Sequence, residues 1–141
     1  MLSNDTTGGG LDESNQSLTI ISVGNAIGGT VSLSGTDILF TPTLNYNGPA
    51  SFTYTVQDDG TTNGSSDPLS STANVTFTIT EVNDAPVATD DSLSSVAEDS
   101  ATRTISMASL LANDTAGGGV DESTQTLSII SVGSAVGGTV S

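Results

Sequence analysis

Sixteen carboxylates face a single base in this 141-residue chain, and nine of them fall into three polar stretches. Asp58, Asp59 and Asp67 crowd one, Asp114, Asp121 and Glu122 a second, and Asp5, Asp12 and Glu13 a third, with Glu81 and Asp84 on a short segment between apolar runs. Cysteine and histidine are both absent. Thiolate metal sites, His-ligated zinc, cysteine nucleophiles and a Ser-His-Asp triad are thereby excluded. Oxygen remains, and calcium takes six to eight oxygens from carboxylates, amide side chains and backbone carbonyls without nitrogen or sulfur. No EF-hand spacing occurs, so a calcium site would have to be assembled from several loops. Two such charges about 6 Å apart at an effective dielectric near 20 repel by roughly 3 kcal/mol. Either the acids spread into solvent, as on a salt-adapted surface, or a cation sits among them, and residue types alone leave both readings open. Asp58 and Asp59 could also be taken for a glycosidase pair, but the chain has no tryptophan platform, and we expect no catalysis.

The formal net charge of −15 narrows the partners. Phosphate backbones and anionic membrane surfaces need clustered Lys or Arg, and Arg103 is the one base. Nucleic acid and direct membrane insertion are therefore not expected, whereas Arg103 should pair with a carboxylate. No apolar run approaches the roughly 20 residues that span a bilayer. Met1 is followed at once by polar residues rather than a leader, so an export signal is expected elsewhere in a longer parent.

The elements that must position these acids repeat. Residues 110–141 align without a gap on residues 1–32 at an offset of 109, with 23 positions identical. A tandem array of roughly 109-residue units follows. In the order of one unit, residues 87–96 (VATDDSLSSV) predict a first edge strand, A, and residues 102–106 (TRTIS) a second, B. Residues 108–112 (ASLLA) predict one helical turn. A loop follows at residues 113–125, whose three glycines suggest backbone freedom. Residues 127–132 (LSIISV) suit a central strand, C, and residues 137–141 begin strand D. The first copy continues the unit: D at residues 30–33 turns into E at 37–41, residues 51–56 (SFTYTV) alternate Phe52, Tyr54 and Val56 on one face as F, and residues 73–82 form G with Val75, Phe77 and Ile79 together. Seven strands and no helix of normal length predict an all-β sandwich. A hydrophobic fraction of 34 % makes its core thin.

Several strings carry a family pattern: Ala97-Glu98-Asp99-Ser100, Ser109-Leu110-Leu111-Ala112-Asn113-Asp114, Leu127-Ser128-Ile129, Gly138-Thr139-Val140, Phe40-Thr41-Pro42, Asn45-Tyr46-Asn47-Gly48, Asp58-Asp59-Gly60 and Asn83-Asp84-Ala85-Pro86. Together they resemble the bacterial cadherin-like tandem repeats of large RTX-type surface adhesins. The resemblance implies an immunoglobulin-like sandwich, an extracellular or bacterial cell-surface location, and calcium near domain junctions. It also exposes a departure. Complete units follow each other in those proteins, whereas here residues 1–84 would be a repeat without strands A and B, and residues 85–141 a repeat without E, F and G.

In such a sandwich the B–C and F–G loops, the linker and the start of A meet at one pole. Asp58, Asp59, Asp84, Asp114, Asp121, Glu122, Asp5, Asp12 and Glu13 are accordingly the candidate calcium ligands. The leading expectation for function is a non-catalytic extender repeat, whose partners are its neighbouring repeats, stiffened by calcium. A second is self-association, as a fibre or swapped dimer, in which half-sandwiches of neighbouring chains complement each other. A third, weak carbohydrate binding, would rest on Tyr46 and Tyr54, of which Tyr54 is expected in the core.

Overall fold

The computed structural model describes residues 2–11 and 13–141; Asp12 lies outside them. The chain divides into two compact units, Met1–Glu81 and Val82–Ser141. The linker residues Asn83 and Asp84 go with the second, because both hydrogen-bond within it.

Unit 1 is antiparallel β. Its strands are β1 (Thr19–Ile27), β2 (Gly29–Ser34), β3 (Asp37–Pro42), β4 (Gly48–Gln57), β5 (Thr61–Thr62), β6 (Ser65–Ser66) and β7 (Ser70–Ile79). One sheet runs β1-β4-β7, a second is the β2-β3 hairpin, and β5-β6 is a small third. Strand β4 holds the centre, paired with β1 from Thr19↔Gln57 to Ile27↔Ser51 and with β7 from Gly48↔Ile79 to Gln57↔Ser70. Proline is tolerated at Pro49 because β1 pairing has already ended at Ser51, so one edge of the ladder is free there. The predicted alternation is met: Ala50, Phe52, Tyr54 and Val56 are buried and the intervening residues are half-covered. Phe40 of β3 joins the sheets, lying 6.1 Å from Phe52 and edge-on to Phe77 at 4.9 Å between ring centroids.

Strand β1 is bulged between Gly24 and Ile27, where Asn25 takes φ 50° and donates through Nδ2 to Thr53 Oγ1 at 3.1 Å. The β5-β6 hairpin, which we read from sequence only as a polar loop, turns at Asn63-Gly64 with φ of 53° and 79°, as an Asn-Gly hairpin turn requires.

Unit 2 corrects most of its strand expectations. Among the described residues, 87–96, 102–106, 127–132 and 137–141 form no strand ladder, and a single bridge, Val87↔Thr115, is all that pairs there. The physical reason is that a strand is made by its partner, and in unit 1 the residues equivalent to 128–136 are held by β4. The helical turn is found at α1 (Met107–Leu110), one residue earlier than predicted. A 3-10 turn follows at Glu122–Thr124. Arg103 is also corrected: among the described residues its guanidinium donates to the carbonyl and hydroxyl oxygens of Ser94 rather than to a carboxylate.

Candidate functional site

In unit 1 the acids serve as acceptors that tie loops to the sheet. Asp5 takes the Tyr54 hydroxyl on both carboxylate oxygens, at 3.0 and 2.9 Å, although Tyr54 is 49 residues away. That bond, then burial, then the negative charge of Asp5 hold the Tyr54 phenol above its ordinary pKa of 10.0. Asp58 Oδ1 accepts the amides of Gly60 and Leu69, at 3.0 and 2.8 Å, closing the ends of the β4–β7 loop. Asp59 Oδ1 accepts the Ser17 amide at 2.7 Å, which binds that loop to the stretch before β1. Asp67 accepts the Thr62 hydroxyl at 2.8 Å. Glu13 is half-buried beside Gly8, and its carbonyl accepts the Thr7 hydroxyl at 2.9 Å.

Unit 2 gathers the linker onto its own loop. The Asp84 amide donates to Glu122 Oε1 at 2.9 Å, and Gln125 Nε2 donates to Asn83 Oδ1 at 3.0 Å. Asp114 Oδ1 accepts the Thr89 amide at 2.8 Å. Asn113 reaches the carbonyls of Thr89 and Asp90, while Asp121 precedes the 3-10 turn without a side-chain capping bond. Glu122 is 2 % exposed, and among the described residues its Oε2 has no hydrogen-bonding partner. A side chain this acidic is seldom shut away unpaired.

Gly117 permits that contact. A Cβ there would lie 2.9 Å from the Asp84 Cβ and 3.2 Å from Glu122 Cγ, and its φ of 144° disfavours other residues. The glycine run read as loop freedom is thus, at Gly117, a close approach of linker to loop.

The candidate ligands are therefore distributed. Asp84 and Glu122 meet, and Asp59 adjoins the stretch after Asp5 and Glu13 through Ser17. Among the described residues no group of three or more acidic side chains stands ready to hold a metal. Burial of Glu122 and the Tyr54–Asp5 bond were missed from sequence; both depend on loop paths that no spacing encodes. The Tyr46 ring packs over Gly28, where a Cβ would come within 2.6 Å of Cε1, and its hydroxyl donates to the Pro49 carbonyl at 2.6 Å. Its stacking surface is thus partly taken.

Comparison with known families decides the class, since residues 2–80 and 82–141 match the cadherin-like domain. The chain belongs to the cadherin-like domain family. Cadherin-like domains generally bind calcium, are typically extracellular and non-catalytic, and point to an adhesive or repeat-spacing role. No curated protein and no solved structure matches this cadherin-like chain. Among the described residues no helix is long and apolar enough to cross a membrane.

Proposed function

We propose that this chain is a non-catalytic extender segment of a secreted or surface-bound bacterial adhesin of the RTX type, rigidified by calcium where linker meets loop. The observation that carries the calcium reading is the Glu122 carboxylate, buried, bonded through one oxygen to the Asp84 amide and unpartnered at the other. An ionised oxygen shut away from water costs several kcal/mol unless a donor or cation meets it. Glu122, Asp84 and neighbouring backbone carbonyls are the oxygens that would hold the ion. Calcium would supply a fixed charge that pins residues 83–84 to the loop at residues 113–125 and so restricts the hinge between repeats. The extender reading draws on the repetition at an offset of 109 and on acids occupied as backbone acceptors rather than opposed across a catalytic cleft. The division into one repeat without strands A and B and another without E, F and G belongs to the same proposal.

Titration calorimetry with calcium chloride tests it. We expect a saturable heat for the chain, abolished in Glu122→Gln, and a calcium-dependent rise in the melting midpoint reversed by EDTA. At one hundred times Kd the ion would add about 2.7 kcal/mol. No heat, with superimposable melting curves in calcium and EDTA, would leave the acids as a solvated surface.

A further inference from the structure

Unit 1 contains two Asn-Gly dipeptides, Asn47-Gly48 and Asn63-Gly64, and in an unfolded chain both are chemically labile. Glycine is the cause, because without a Cβ it leaves its own backbone nitrogen open to the side-chain carbonyl carbon of the preceding asparagine. The fold treats the two dipeptides differently.

Asn47 is half-buried and held from both sides. Tyr46 is anchored by its amide to the Thr43 carbonyl at 3.2 Å and by its hydroxyl to the Pro49 carbonyl at 2.6 Å, so a clamp spans the dipeptide. Gly48 already belongs to the β4–β7 ladder, opposite Ile79. Asn63-Gly64 has no such restraint. Residues 61–70 are all exposed, a Cβ on Gly64 would meet nothing within 4 Å, and the flanking strands β5 and β6 are two residues each. Their pairs, Thr61↔Ser66 and Thr62↔Ser65, leave the Gly64 amide outside the ladder.

We propose that Asn63 is a site of spontaneous modification, at which the folded chain converts to aspartate and isoaspartate while Asn47 is preserved. The Gly64 nitrogen attacks Asn63 Cγ and loses its proton to the solvent; the Cγ–Nδ2 bond breaks and ammonia leaves. The resulting five-membered succinimide is opened by one water. Cleavage of the new N–Cγ bond restores the ordinary backbone with an aspartate, whereas cleavage of the original peptide bond leaves the chain running through Cγ as isoaspartate. One water is consumed and one ammonia released, with no change of oxidation state. Either product adds a negative charge to a loop that already carries Asp58, Asp59 and Asp67.

The hairpin tolerates the two products unequally. Asp-Gly suits the same two-residue turn, so aspartate keeps it. Isoaspartate lengthens the backbone by one methylene and breaks the Thr62↔Ser65 register. Thr62 then releases Asp67 Oδ2, which its hydroxyl meets at 2.8 Å, while Asp58 Oδ1 still closes the base of the loop on the amides of Gly60 and Leu69. Only the tip is loosened.

Incubation of the full chain in mildly alkaline buffer, folded and in concentrated urea, with peptide masses followed over time, tests the proposal. In urea both dipeptides should convert at similar rates. In the folded chain Asn63 should convert and Asn47 should lag about tenfold or more, the factor for opening one or two backbone hydrogen bonds. Tyr46→Phe, which removes the bond to Pro49, should speed conversion at Asn47 and leave Asn63 unchanged. In the aged chain, amide exchange should quicken at Thr62 and Ser65 and stay slow at Gly60 and Leu69. An Asn63 that remains intact in the folded chain while the urea sample converts, or an Asn47 that converts as fast as Asn63, overturns the assignment.

Discussion

The two copies of one segment, residues 2–32 and 111–141, behave alike at short range and differently at long range. Each makes the same local bonds: Asp5 to Leu2 and Asp114 to Leu111, Gln16 to Glu13 and Gln125 to Glu122 along the backbone, and the Ser14 and Ser123 hydroxyls to the carbonyls of Leu11 and Val120. Positive φ also recurs at three equivalent pairs, Gly8 and Gly117, Asn25 and Ser134, and Gly28 and Gly137. Only the first copy has strands. Turns are therefore written in a few adjacent residues, which need no one else, whereas a strand is a property of a pair. The same apolar residues are half-buried or exposed according to what lies opposite.

The largest test of that contrast removes the partner. Phe52→Ala deletes a ring that is 4 % exposed and lies against Phe40, at a cost of about 3–5 kcal/mol. Unit 1 should lose its cooperative transition, and amide exchange should show residues 19–27 as unprotected as residues 128–136. Retained protection at 19–27 would mean that the copies differ for some reason other than their partners.

A smaller effect is expected from Tyr54→Phe, which removes the bond to Asp5 and costs about 1.5–3 kcal/mol. Its pH dependence has a definite sign. The folded state holds the phenol protonated above its ordinary 10.0, so the stabilisation is complete below pH 10 and is lost as pH climbs through the raised value. Alkaline melting of the parent should show this loss, and Tyr54→Phe should be free of it.

Smallest is the difference between Gly117→Ala and Gly8→Ala. Both carry the strain of a positive φ, about 1–3 kcal/mol. Gly117→Ala also meets Asp84 at 2.9 Å, whereas Gly8→Ala meets the yielding Glu13 side chain at 3.3 Å. Exchange at the Asp84 amide should accelerate in the first variant and stay unchanged in the second.

What could be read from the sequence follows the same division. The alternation of Phe52, Tyr54 and Val56 located β4 and its buried face, and Ser34-Gly35-Thr36 located the β2-β3 hairpin. Asn63-Gly64 carried an equally strong turn signal that we read only as part of a polar loop. Strands C and D of unit 2 are read from residues whose counterparts form β1 and β2 when partnered, so their pattern holds where a partner is present, whereas strands A and B form no ladder and have no counterpart in unit 1. Of the candidate ligands, Glu122 was recognisable as an acid in a glycine-rich loop. Its burial was not, because it depends on where Asp84 folds back.

The position of β4 between β1 and β7 also governs how unit 1 bears tension. Strands β1 and β7 run the same way on either side of it, with Thr19 at the Gln57 end and Ile79 at the Gly48 end. A pull applied through Thr19 and Ile79 therefore acts along the strands in opposite directions. Both ladders are loaded in shear, with their hydrogen bonds resisting together rather than unzipping one after another. Stretched by its neighbours, the unit would stay folded up to a high force and then fail abruptly, with β4 as the member that carries the load across.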